Sequence, residues 1–235
     1  DPSSKDDTTY KRLIEYPEQK NFSGILITHH HADHNERADQ LARHFQVPLI
    51  MSAYTKQRLQ ENRSGFFDGV LVHITKHDET LCHWLNQPVN VIEVPGHDEG
   101  QLALAPAPNE GAPAWCIVGD LIQGIGTVVI APPEGNMSRY FKTMQAMIAL
   151  DPAVIIPSHG LAMGSTFRLR ATLEHRQKRE DDILLRYKNG DTEDEILNSI
   201  YSDIDPRLLP LARINIQSHM EKLADDGKVT LTSIQ

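Results

Sequence analysis

The distribution of apolar and polar positions divides the chain near residue 165. Before that point, short β-type runs alternate with stretches of helical spacing. Residues 24–28, Gly-Ile-Leu-Ile-Thr, read as a strand, followed by a polar segment over 29–35 and a helical stretch over 36–45. Residues 47–51 read as the next strand, 55–61 as a short helix and 70–75 as a further strand. Residues 89–94 are strand-like and stop at Pro95-Gly96, and 114–118 stop at Gly119-Asp120. The spacing of Tyr140, Met144, Met147 and Ile148 predicts a helix over 137–150, which Asp151-Pro152 breaks. A short strand over 153–156 then stops at Pro157. Strands alternating with helices predict an α/β domain over residues 1–164.

The tail, residues 165–235, has a different character. One long charged helix is predicted from residue 167 to 188, with Asn189-Gly190 as its stop. Thr192 and Glu195 have the spacing of a capping box and open a short helix. Asp205-Pro206 supplies an N-cap followed by proline in the first turn, opening another helix to about residue 224. Asp226-Gly227 ends it, and 229–232 alternate like a strand. This order predicts a small separate module.

Composition adds three constraints. The net charge of −9 disfavours general binding to nucleic acid or to an anionic membrane. No apolar run approaches the ~18 residues of a spanning helix. Cys82 and Cys116 lack metal-site or redox spacing and sit among apolar neighbours, so both read as buried thiols in a reducing, cytoplasmic compartment. The chain starts at Asp1 without an initiator Met, which leaves room for a leader ahead of it.

The candidate chemistry lies at strand ends. Four β-type runs each stop at a residue that can hold a metal: the first at His29-His30-His31-Ala32-Asp33-His34, the others at His97, Asp120 and His159. In open α/β sheets, ligands collect at the carboxyl ends of strands. Alternate residues of an extended segment share a side, so His29 and His31 can clasp one cation. Asp33 and His34 lie past a bend and can face a second. His30 then points away from both. Imidazole suits zinc and other first-row metals, with a carboxylate completing the site. Two cations about 3.5–4 Å apart need a shared anionic ligand, and Asp120 is the natural candidate. The remaining histidines, among them His44, His73, His77, His83, His175 and His219, read as ordinary surface residues. Gly124-x-Gly126-Thr127 reads as a tight turn rather than a phosphate cradle.

His29-x-His31-x-Asp33-His34, Gly96-His97, Gly119-Asp120 and Ser158-His159-Gly160 together resemble the metallo-β-lactamase superfamily, over about residues 1–165. The resemblance implies an αββα sandwich with two metals, usually zinc, at one edge; iron or manganese is feasible with these ligands. It places His29, His31 and His97 on the first metal, Asp33, His34 and His159 on the second, and Asp120 between them. The tail resembles the winged-helix module of the beta-lactamase-like protein 2 branch, which includes single-strand-specific endoribonucleases. There are two departures. Asn35-Glu36 stands where the family usually has small residues, so Glu36 is a candidate to reach the pocket. Asp1-Pro2-Ser3 stands at the family's Asp-x-Gly segment, which predicts a domain shortened by its first strands.

These readings predict a hydrolase whose nucleophile is a hydroxide held between two metal ions, with Asp33 and Asp120 orienting it. A small acyl substrate (thioester, lactone or amide) is preferred, because the tail carries 11 Lys/Arg against 13 Asp/Glu. Single-stranded RNA is the alternative substrate, for which Arg168, Arg176 and Arg179 offer a narrow basic stripe on the long helix. A non-catalytic winged-helix protein with a vestigial site is the third reading, and the complete set of seven ligands argues against it.

Overall fold

A computed structural model describes residues 1–16, 21–108 and 111–231. Two sheets form the body of the first part. The smaller is parallel, in the order β1 (Ile25–Leu26), β2 (Leu49–Met51), β3 (Val72–Ile74). Its helices are α1 (Asp7–Glu15), α2 (Ala32–Asn35), α3 (Ala38–Phe45) and α4 (Ala53–Asn62). Ile25, Ile27, Leu49 and Met51 pack with Ala38, Leu41 and Ala42 of α3 and with Leu59 of α4.

The larger sheet has six strands in sequence order: β4 (Thr80–Trp84), β5 (Gln87–Glu93), β6 (Leu102–Pro106), β7 (Cys116–Ile117), β8 (Val154–Ile156) and β9 (Met163–Gly164). Its core packs against α5 (Met137–Leu150) through Tyr140, Phe141, Met144 and Met147. The strand directions decide where the chemistry gathers. β5 and β7 are each antiparallel to β6, and β8 is parallel to β7. Therefore β5, β7 and β8 all run the same way, and the segments after them leave from one edge. The amide of Leu102, at the start of β6, donates to the Thr28 carbonyl just after β1. That bond brings the small sheet's first loop to the same edge.

Two close approaches are built on glycine. Gly96 has φ +146°, and a Cβ there would lie 2.5 Å from the Cα of Tyr140. A Cβ on Gly124 would lie 2.6 Å from the backbone nitrogen of Leu161. The Gly124 amide donates to the His159 carbonyl, so the 124–127 turn supports the His159 loop.

The tail comprises α6 (Phe167–Asn189), α7 (Glu193–Ile200) and α8 (Leu209–Asp225). Its own apolar cluster joins Ile183, Ile196, Leu197, Ala212, Ile216 and Leu223. Gly190 ends α6 in the left-handed region, and the Thr192–Glu195 capping box starts α7 as the spacing predicts. No helix among the described residues is long and apolar enough to cross a membrane.

Several expectations change. The helix predicted over 36–45 starts only at Ala38, because Arg37 ahead of it adopts a left-handed conformation, and the segment read as polar loop carries the short helix α2 over 32–35. The strand predicted over 229–232 is absent from its described residues, 229–231, and residue 232 lies outside them. Cys82 is exposed, not buried, whereas Cys116 is buried and its thiol is pushed up to about 12. The arginines of the expected stripe on α6 are engaged within the chain, with Arg168 exposed, Arg179 half-buried and Arg176 buried. Arg176 is buried and donates to the Val128 carbonyl, Arg168 donates to the Gly126 carbonyl, and Arg179 lies over the Tyr201 ring.

Gly96→Ala is expected to cost roughly 3 kcal/mol, from backbone strain plus the clash with Tyr140. For a chain of this size that is a fall of roughly 6–12 °C in Tm, measurable by thermal unfolding.

Candidate metal centre

The loop after β1 carries the first four candidates. His29 is fully buried, and His31 caps the short helix α2, which carries Asp33 and His34. Asn35 explains how this loop holds its shape. Its buried amide donates to the carbonyls of His30 (2.8 Å) and His31 (2.6 Å), and its side-chain oxygen accepts from Arg63. A small residue at position 35 would leave both carbonyls without that donor. Glu36 follows the helix and is absent from the convergent groups; its amide meets Ser3 Oγ.

Three imidazole nitrogens meet at one point. His31 Nδ1 lies 3.0 Å from His29 Nε2 and 3.0 Å from His97 Nε2. The opposite nitrogens each face an acceptor. His29 Nδ1 is 3.1 Å from Thr28 Oγ1, whose hydroxyl donates to Asp1 Oδ2 at 2.8 Å. His97 Nδ1 donates to the Val129 carbonyl at 2.7 Å, and His31 Nε2 faces Glu134 Oε2 at 3.6 Å. If each proton sits on the side with the acceptor, three lone pairs point at one another with no hydrogen between them. That arrangement repels unless a cation occupies the centre. Tetrahedral Zn–N bonds of about 2.0–2.1 Å put ligand nitrogens about 3.3 Å apart, close to what is found.

A second group lies alongside. His34 Nε2, His159 Nε2 and Asp33 Oδ2 are within 3.3–3.7 Å of one another. His34 Nδ1 is held by Asp1 Oδ2 at 3.1 Å. Asp120, in the 3-10 turn after β7, reaches both groups: its Oδ2 is 3.6 Å from His34 Nε2, 3.6 Å from His159 Nε2 and 3.8 Å from His97 Nε2. Its Oδ1 is buried without a hydrogen-bond partner. The residues present therefore fit a pair of cations sharing one carboxylate.

The electrostatics favour ligand forms. Burial, then the neighbouring imidazoles, holds His29 well below the ordinary histidine range. Burial also lowers His97, against the opposing pull of the Val129 carbonyl. Burial works to raise Asp120, but the nearby imidazoles of His34, His97 and His159, His34 foremost, outweigh it, and its carboxyl ends below the usual range. Neutral imidazole beside ionised carboxylate is the protonation state a metal requires.

Residue patterns did not reveal the supporting partners. Asp1 accepts from the Thr28 amide (2.7 Å), Thr28 Oγ1 and Ser158 Oγ (3.0 Å) as well as facing His34. One carboxylate thus braces both halves of the centre. His30 does not simply point away. Its Nδ1 lies 2.6 Å from the fully buried Asp98 and its Nε2 3.3 Å from Glu134, which also pairs with Arg58. Burial opposes protonation of His30, but Asp98 and Glu134 outweigh it and raise its pKa. His219 is not a surface residue either; it is buried against Glu180.

The sequence profile of the Metallo-beta-lactamase superfamily matches residues 1–159. The chain belongs to that superfamily. The profile of the Beta-lactamase associated winged helix domain matches residues 192–234, so a domain of that superfamily precedes a winged helix. The chain is 28% identical over 149 residues to a beta-lactamase-like protein 2 homolog from Drosophila melanogaster, covering 61% of this chain and 48% of the relative. It is 27% identical over 168 residues to a hydroxyacylglutathione hydrolase from Hamiltonella defensa, covering 70% of this chain and 56% of the relative. The chain thus spans about half the length of these curated relatives. Among solved structures, a beta-lactamase domain protein from Burkholderia ambifaria superimposes with a TM-score of 0.72 at 17% identity, covering 94% of this chain and 74% of the other. That likeness is one of fold.

Thr28→Val keeps the side-chain shape and removes the hydroxyl between His29 and Asp1. Loss of such a supporting contact is expected to weaken metal affinity about 10–100-fold, as read by competition with a chromophoric chelator.

Proposed function

We propose that this chain is a two-metal hydrolase of small acyl substrates, with a thioester as the first choice. The observation that carries the reading is the convergence of His29, His31 and His97 through nitrogens whose opposite sides all face acceptors. In this reading those three hold one cation, Asp33, His34 and His159 the other, and Asp120 joins them. Zinc matches the nitrogen-rich set, and iron or manganese also suits it. The division at residue 164/165 assigns α6 to the tail module.

Divalent cations bound there would supply charge to polarise the scissile bond and would lower the pKa of water toward neutrality. The protein's own contribution is orientation. Asp120, buried and fixed, directs the attacking water through its carboxylate. Asp33 is 65% exposed, so a water proton taken up by the carboxylate oxygen not engaged with the cation can pass to solvent. His30, Asp98, Glu134 and Arg58 wall the side beyond His31 with alternating charge.

Thioester preference rests on the hydroxyacylglutathione hydrolases among the relatives and on the net charge of −9. The winged helix and the beta-lactamase-like protein 2 homolog favour a second reading, cleavage of single-stranded RNA. The burial of Arg176 against the Val128 carbonyl weighs against it, since a nucleic-acid groove needs accessible cations.

The test pairs elemental analysis with turnover of a glutathione thioester, a lactone, nitrocefin, bis-p-nitrophenyl phosphate and single-stranded RNA. The expected result is about two metals per chain and thioester turnover, with metal and activity falling together in Asp120→Ala and His97→Ala. Salt-sensitive RNA cleavage without thioester turnover would select the second reading. Metal content unchanged by both substitutions would overturn the centre.

A further inference from the structure

The chain between the 3-10 turn and α5 contains neither helix nor strand from residue 122 to 136. Irregular backbone of this kind must find partners for its polar groups outside a ladder. Here many of them come from the tail. Arg168 of α6 donates to the Gly126 carbonyl at 3.1 Å. Arg176 of α6 donates to the Val128 carbonyl and lies 3.4 Å from Thr127 Oγ1. Ser218 of α8 donates to the Ile130 carbonyl. Between the last two lies Val129, whose carbonyl accepts from His97 Nδ1 at 2.7 Å.

From this geometry we infer that the tail module positions a ligand of the candidate metal centre: Arg176 and Ser218 hold the peptide units on either side of the Val129–Ile130 peptide and thereby aim the Val129 carbonyl at His97. The inference rests on the reading of His97 as a ligand. The mechanism is steric and simple. A peptide unit is planar, so with the units before and after it held, the Val129 carbonyl can turn only by opposed rotations about the Val129 Cα–C and Ile130 N–Cα bonds. Both flanking carbonyls are held by side chains from different helices of the tail. Arg176 and Ser218 are themselves buried, so water does not substitute readily for either donor. Arg176 is further fixed by its guanidinium lying over the Tyr140 ring, 4.9 Å from the centroid, while Tyr140 packs beneath Gly96 and donates to the Leu121 carbonyl. The tail is thereby coupled to the loop before His97 as well as to the acceptor behind it. The module acts as a brace for the first cation's pocket and contributes no ligand of its own.

A comparison of two serines at the same interface tests this. Ser218→Ala removes the bond to Ile130. Ser138→Ala removes a bond between α5 and Asp225 of α8 that does not touch residues 126–130. Zinc dissociation constants for both equivalents are measured by chelator competition in the wild-type protein and in each variant, with the thermal midpoint of the metal-free forms alongside. The expected result is a roughly tenfold weaker constant for one of the two equivalents in Ser218→Ala, with Ser138→Ala matching the wild type. Arg176→Lys keeps the buried charge but cannot span Val128 and Thr127, and it is expected to shift the same equivalent. The inference is overturned if Ser218→Ala and Arg176→Lys bind both equivalents as the wild type does, or if Ser138→Ala weakens binding equally. A wild-type protein that takes up no zinc would instead overturn the metal-centre reading, and this inference with it.

Discussion

Three imidazole nitrogens gathered at one point, His31 Nδ1 lying 3.0 Å from both His29 Nε2 and His97 Nε2, are the constraint around which the rest of this molecule is arranged. Such a cluster has no favourable state of its own. With each proton on the side that faces an acceptor, the inward lone pairs repel, and protonation of any one ring places a charge beside the others. The fold tolerates it because every outward-facing nitrogen is caught: by Thr28 and through it Asp1, by Glu134, and by the Val129 carbonyl. A divalent cation held there would turn that mutual repulsion into attraction.

The architecture delivers these groups through strand direction. β5, β7 and β8 run the same way, so the turns holding His97, Asp120 and His159 leave one edge. The Leu102–Thr28 bond brings the His29–His34 loop to meet them. Close packing fixes the approach distances. Gly96 lets α5 lie against the His97 loop, and Gly124 lets the following turn lie against the His159 loop. Asp1 ties the halves together, reaching the His29 side through Thr28 and the His34 side directly. The tail adds a second layer of restraint from behind.

How much of this could be read from residues alone depended on whether the signal was local. The six-residue cluster and the strand-terminal positions of His97, Asp120 and His159 were legible, because each is a local pattern: an apolar run, then a ligand type. The helices of the tail were legible for the same reason, through Gly190, the Thr192–Glu195 box and Asp205-Pro206. The supporting acceptors were not. Asp98 and Glu134 are far from His30 in sequence, and a main-chain carbonyl such as Val129 carries no residue signature at all. Asp1 could be placed at its segment only by resemblance. The arginines of α6 were misread because a helix shows which residues share a face but not what covers it; Arg176 is buried against the 127–128 backbone. Arg37 delayed the start of the helix predicted from residue 36 through a left-handed conformation that its residue type rarely adopts.

The most direct measurement is anomalous-scattering crystallography of protein purified with zinc, with data on both sides of the zinc absorption edge. The account predicts two anomalous peaks about 3.5–4 Å apart, one among His29, His31 and His97, the other among Asp33, His34 and His159, with Asp120 reaching both. A single peak lying outside these residues, or none at zinc concentrations that saturate binding in solution, would contradict it.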